Sequence, residues 1–162
     1  MHARQADQTS LFAPVDAAAA FANLYQRWFD DARGLAEANR RQTRRAVGAR
    51  VADVLTLWDE HARAWLPGAP TILRLESGDL AAFVMREPCI ALHSGRISTD
   101  APVAGLRWES FRLCSYAIGR TVADLVLVTG RGGLLEDVEV VLDDGGRLFL
   151  ANRDAWPLAH AV

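Results

Sequence analysis

Val47-Gly48-Ala49-Arg50-Val51-Ala52-Asp53-Val54-Leu55-Thr56-Leu57-Trp58-Asp59-Glu60-His61-Ala62-Arg63-Ala64-Trp65 sets apolar side chains at Val47, Val51, Val54, Leu55, Trp58, Ala62 and Trp65. Steps of three and four residues are the signature of one face of an amphipathic helix. Pro67-Gly68 follows as a strong stop. The stretch is therefore predicted to be helical.

Upstream, a similar stripe runs through Phe21, Leu24, Tyr25, Trp28, Phe29, Ala32, Leu35 and Ala36. Pro14 and Asp16 precede it, and Asp16 is suited to cap a helix whose first turn is Ala17 to Ala20. Between the stripes lies the polar run Glu37-Ala38-Asn39-Arg40-Arg41-Gln42-Thr43-Arg44-Arg45. It contains no Gly or Pro, which favours one continuous helix. The second stripe is out of phase with the first, and a fifty-residue helix would be about 75 Å long, which favours a helical hairpin with the polar run at its tip.

Downstream of Pro67 the period shortens. Thr71–Glu76 and Leu80–Met85 flank Ser77-Gly78-Asp79 as a hairpin, and Cys89–His93 reads as a third strand. Residues 98–105 read as a loop. Leu106–Ile118 fits a helical face. Val122–Thr129 is a strand, closed by Gly130-Arg131-Gly132-Gly133. Asp137–Leu142, Asp143-Asp144-Gly145-Gly146 and Arg147–Leu150 form a further hairpin. Val138, Val140 and Leu142 share its core face, while Asp137 and Glu139 face away, so the sheet should have one wet side.

The expected fold is thus α+β: an N-terminal pair of amphipathic helices, or one long helix, followed by an antiparallel sheet of about five or six strands. Residues 1–14 are expected to be a flexible N-terminus, 15–66 the helical segment, and 67–162 mainly sheet, forming one domain with the helices. At 162 residues such a chain can bury a core without a disulfide or metal.

Net charge is −2, so any basic character is local. All eighteen cations are arginines. That composition, with its many alanines, points to a GC-rich bacterial genome. It also excludes Schiff-base, P-loop and PLP-binding lysines within this chain. Two cysteines, Cys89 and Cys114, make no disulfide framework. The opening residues are polar, and no apolar run is long enough to span a membrane. A cytoplasmic location is expected.

The polar run offers Arg40, Arg41, Arg44 and Arg45, whose guanidinium groups can grip carboxylate or phosphate bidentately. Trp58 and Trp65 are candidate interface anchors. Nucleic acid is disfavoured because acids dilute the basic field and no aromatic side chain is interleaved with the arginines. His61 lies between the two tryptophans and beside Asp59, and with Arg107 could line a pocket as a general acid or base. Cys89 and His93 are too far apart on a strand to share an ion, so no metal site is expected, and no cofactor. Thr129–Gly133 lacks the spacing of a phosphate loop and is better read as a turn.

The expectation drawn from these residues is a non-catalytic bacterial interaction or assembly protein. Its helical segment would serve self-association or docking to a protein partner. The alternative is a small-molecule-binding or enzymatic domain with a pocket between helices and curved sheet.

Overall fold

The computed structural model describes residues 33–34, 44–66, 69–86, 89–100 and 105–151. These residues form nine antiparallel strands in two sheets. The strands are β1 (Val51–Asp59), β2 (Ala64–Trp65), β3 (Thr71–Leu75), β4 (Gly78–Arg86), β5 (Cys89–Gly95), β6 (Leu106–Ser110), β7 (Val122–Thr129), β8 (Leu135–Leu142) and β9 (Arg147–Phe149). A short 3-10 segment, Arg112–Ala117, links β6 to β7.

The expected α+β architecture is overturned. Most of the second helix, and any single helix running to Leu66, is replaced by β1, the turn at 60–63 and β2. Of the segment 15–66, only Arg33, Gly34 and Arg44 to Ala46 are described as helical. The first stripe otherwise lies outside the described residues, as do residues 1–14. Among the described residues, strand structure therefore begins at Val51, well before Pro67. Leu106–Ile118 is likewise a strand followed by a 3-10 turn, not an α-helix.

The physical reason lies in β1. Val54, Leu55, Thr56 and Leu57 are all buried, at four successive positions. A strand covered on both faces has no wet side and so loses the alternation that marks a strand in sequence. Its apolar run then matches a helical stripe by coincidence.

Strand β1 also has neighbours along both edges. Leu55 pairs with Ile72 of β3 and with Ser110 of β6, and Trp58 pairs with Trp65 of β2 and with Arg107 of β6. A strand residue has only two edges, so β2 and β3 lie end to end along one of them, opposite β6. Between β2 and β3, the Leu66 N–H bonds the Leu57 carbonyl and the Thr56 hydroxyl donates to the Pro70 carbonyl at 3.2 Å. Beyond β3 the sheet continues through β4 to β5.

The second sheet is the meander β7-β8-β9. It is stitched to the first where residues 48–51 meet 119–122: Val51 N–H reaches the Arg120 carbonyl, Gly119 N–H the Val51 carbonyl, and Val122 N–H the Ala49 carbonyl. One core fills the space between the sheets. It draws Val51 and Val54 from β1, Leu73 and Leu75 from β3, Leu80 from β4, Leu92 from β5, and Val138, Val140 and Leu142 from β8. Asp137 and Glu139 are only partly buried, so β8 does show the expected alternation. The opposite face of the first sheet carries Leu55, Ile72 and Ala81, packed with Ile97 and Trp108.

Candidate functional site

The β3–β4 hairpin ends in Glu76-Ser77, and beside this turn lies a partly open cleft of about 200 Å³. Arg45, Ala46, Leu75, Ser77, Gly78, Asp79, Leu80, Gly95 and Arg96 line it. Three separate segments meet there. Residues 44–46 form a helical fragment that buries Ala46 fully while Arg44 and Arg45 stay exposed. Ser77 anchors that fragment by donating its hydroxyl to the Arg45 carbonyl at 2.9 Å.

Asp79 organises the site. Its side chain is completely buried, yet it is charged. Such a group is tolerated only when paired and fully hydrogen-bonded. Oδ1 accepts from Arg74 Nε and from Arg96 Nη1, each at 3.2 Å. Oδ2 accepts from Arg74 Nη2 at 3.3 Å and from the Ile97 backbone N–H at 2.8 Å. Arg74 Nη2 also donates to the Ile97 carbonyl at 2.8 Å. Arg74 and Asp79 are direct cross-strand partners, so the hairpin register itself brings them together. Opposite Asp79, Gly95 has φ of 149° and lies against His93; a Cβ there would sit 3.0 Å from His93 Nε2.

The side chains singled out from the sequence fall in three places. Arg40 and Arg41 lie outside the described residues. Arg44 and Arg45 are exposed, and of these two Arg45 lines the cleft. Trp58 and Trp65 stack edge to face, with ring centroids 5.1 Å apart, and Trp65 meets Phe111 in the same way at 5.2 Å. Trp65 packs against the main core.

Asp59, His61 and Arg107 come together at the far end of β1, around the β1–β2 turn. Asp59 Oδ1 accepts the backbone N–H groups of His61, at 2.8 Å, and Ala62, at 3.0 Å, which shapes the turn. Arg107 pairs with Glu109 at 2.6 Å and with Glu60 at 3.5 Å. His61 rests over Gly105, where a Cβ would fall 2.7 Å from its Nδ1. None of the three lines the cleft.

Elsewhere, Tyr116 donates its hydroxyl to the Arg147 carbonyl at 3.0 Å. Burial, with smaller effects from Cys114 and Asp144, pushes the Tyr116 hydroxyl well above its ordinary pKa. Cys114 is buried and forms no disulfide. Among the described residues no group of His, Cys, Asp and Glu could hold a metal ion. No described helix is long and apolar enough to cross a membrane.

Sequence reasoning missed Asp79 and Arg96. The signal available was an acid and a base flanking a hairpin turn, Arg74 and Asp79, whose register makes them partners. No protein-family model, curated protein or solved structure matches this chain.

Proposed function

We propose that the protein is a non-catalytic assembly protein that pairs with a second copy of itself through the open edge of β7. The observation carrying this reading is the direction of the main-chain groups on that strand. Leu150 N–H bonds the Val138 carbonyl, so Val138 turns its main-chain groups toward the β9 side. In an antiparallel ladder, N–H and C=O of one residue point the same way. Leu127, the partner of Val138 across the β7–β8 ladder, therefore turns its own N–H and C=O away from β8, and Leu125 opposite Val140 does the same. Among the described residues, no strand takes up those groups beyond the short pairing of 48–51 with 119–122; the Leu125 N–H is met instead by Asp124 Oδ1 at 2.8 Å, which leaves the Leu125 carbonyl and both groups of Leu127 for a partner strand.

The side chains support the same edge. Leu125 to Val128 is an uninterrupted apolar run, and Val126 is 39% exposed. From Leu125 to Thr129 there is no Pro and no charged residue, the residues that commonly guard an edge strand; the exposed Asp124 stands just before that run. Register irregularities at Val122/Asp124 and Val128/Thr129 fence the straight part of the strand. A strand edge is self-complementary about a two-fold axis when two copies meet antiparallel, which favours a second copy over an unrelated strand.

Light scattering over a wide concentration range tests the reading. The wild type should form a dimer, and Val126→Lys should be a monomer with an unchanged circular-dichroism spectrum. A wild type that stays monomeric throughout, or a Val126→Lys variant that dimerises as well, overturns it.

A further inference from the structure

The geometry points to a second, independent site: the cleft beside the β3–β4 turn binds a small oxyanion of the phosphate class between Arg45 and Arg96. Charge gives the first reason. Two arginines, Arg45 and Arg96, line the cleft with one carboxylate, Asp79, which also pairs with Arg74, and among the described residues no carboxylate pairs with Arg45. The lining therefore carries a positive excess.

Construction gives the second. Asp79 is wholly buried and is held by four hydrogen bonds from three residues, so it is part of the frame and not a competing ligand on a mobile side chain. Its Oδ1 holds Arg96 through Nη1, which fixes that guanidinium at the rim of the cleft. Arg45 arrives from a different segment, anchored by Ser77. Two planar guanidinium groups brought from two segments suit an anion whose oxygens diverge, as those of a tetrahedral phosphate do.

Size gives the third. A cleft of about 200 Å³ lies below the roughly 300–1,000 Å³ of sites for larger organic ligands. The floor is apolar, from Ala46, Leu75 and Leu80, so an anion seated there would be partly shielded from water and its attraction to arginine correspondingly strengthened.

Calorimetric titration of the full chain with inorganic phosphate, at constant ionic strength set by chloride, tests this. Wild type should bind phosphate, and acetate more weakly. Arg45→Ala should weaken binding about tenfold or more, the loss expected for a charged hydrogen-bonding partner. Arg96→Lys, which keeps the charge but not the planar fork, should also weaken it. Arg131→Ala, in the exposed β7–β8 turn, should bind as wild type does. Absence of phosphate binding to the wild type, or equal binding by Arg45→Ala and Arg131→Ala, overturns the assignment. Dimerisation through β7 is untouched by either result.

Discussion

Trp58 and Trp65 stand directly opposite one another across the β1–β2 ladder, their rings 5.1 Å apart at an interplanar angle of 81°. Trp65 then meets Phe111 at 87°, which makes a short aromatic chain from the strand pair into the main core. Edge-to-face rings add roughly 0.5–1.5 kcal/mol per pair beyond their burial. Trp65→Ala should therefore destabilise the fold by about 3 kcal/mol, within the usual range for large-to-small core changes. Urea unfolding followed by circular dichroism measures it. A change under about 0.5 kcal/mol, the size of an ordinary surface substitution, would mean that Trp65 serves a surface and not the core.

Asp79→Asn leaves Arg74 and Arg96 facing a buried neutral amide. Because Arg74 keeps some exposure and Arg96 is more than half exposed, the loss is that of charged hydrogen bonds, about 1.5–3 kcal/mol, and not that of a stranded buried charge. The urea midpoint should fall by a corresponding amount while the slope stays constant. By contrast, Glu76→Gln removes only the 4.0 Å contact with Arg50 between two largely exposed side chains, and should change stability by less than about 1 kcal/mol.

Gly105 and His61 are coupled sterically. Gly105 has φ of 84°, and an added Cβ would lie 2.7 Å from His61 Nδ1. Gly105→Ala should cost about 1–3 kcal/mol, from the backbone conformation and the clash together. Adding His61→Ala should recover the clash and leave the backbone part. A double-mutant cycle reads this as a favourable coupling. Strictly additive effects would show that His61 swings clear without cost.

Tyr116 gives a pH dependence of definite sign. Its hydroxyl is raised above the ordinary value of 10.0 by burial. The unfolded chain therefore loses this proton first as pH rises, and the folded state is penalised for keeping it. Its contribution is complete below about pH 10 and is lost progressively above it. Tyr116→Phe should flatten the alkaline limb of the stability curve, while lowering stability at neutral pH by about 1 kcal/mol through loss of the bond to the Arg147 carbonyl. Alkaline unfolding curves of the two proteins, superimposable after that offset, would contradict the assignment.

How legible the fold was depended on how each strand is wetted. Strand β8 has one buried and one partly exposed face, so Val138, Val140 and Leu142 alternate with acids and the hairpin to β9 is plain in the sequence. Strand β1 is covered on both faces, and there Val54-Leu55-Thr56-Leu57 carries no periodic mark of its conformation. Strand β6 failed for a related reason: Trp108 and Leu106 are only half-buried, and the 3-10 turn that follows sinks Cys114 and Ala117 at a spacing of three, which imitates a helix. The cleft was legible only at Arg45. Asp79 and Arg96 are brought to it by strand register, a long-range property that spacing along the chain does not encode.

The two occupied edges of β1 also order events in time. Its first partner is local, since β2 and β3 follow directly. Its second edge waits for Ser110, which meets Asp53 across 57 positions at 2.6 Å, and for Thr121 opposite Arg50. During synthesis, β1 therefore emerges with one side satisfied and the other bare until the chain past Thr121 has left the ribosome. Closing so distant a pairing is the slow, entropically costly step for β-topologies. A nascent chain stalled just before Leu106 would carry a naked apolar strand at the edge of its sheet, and would be the species most in need of a chaperone.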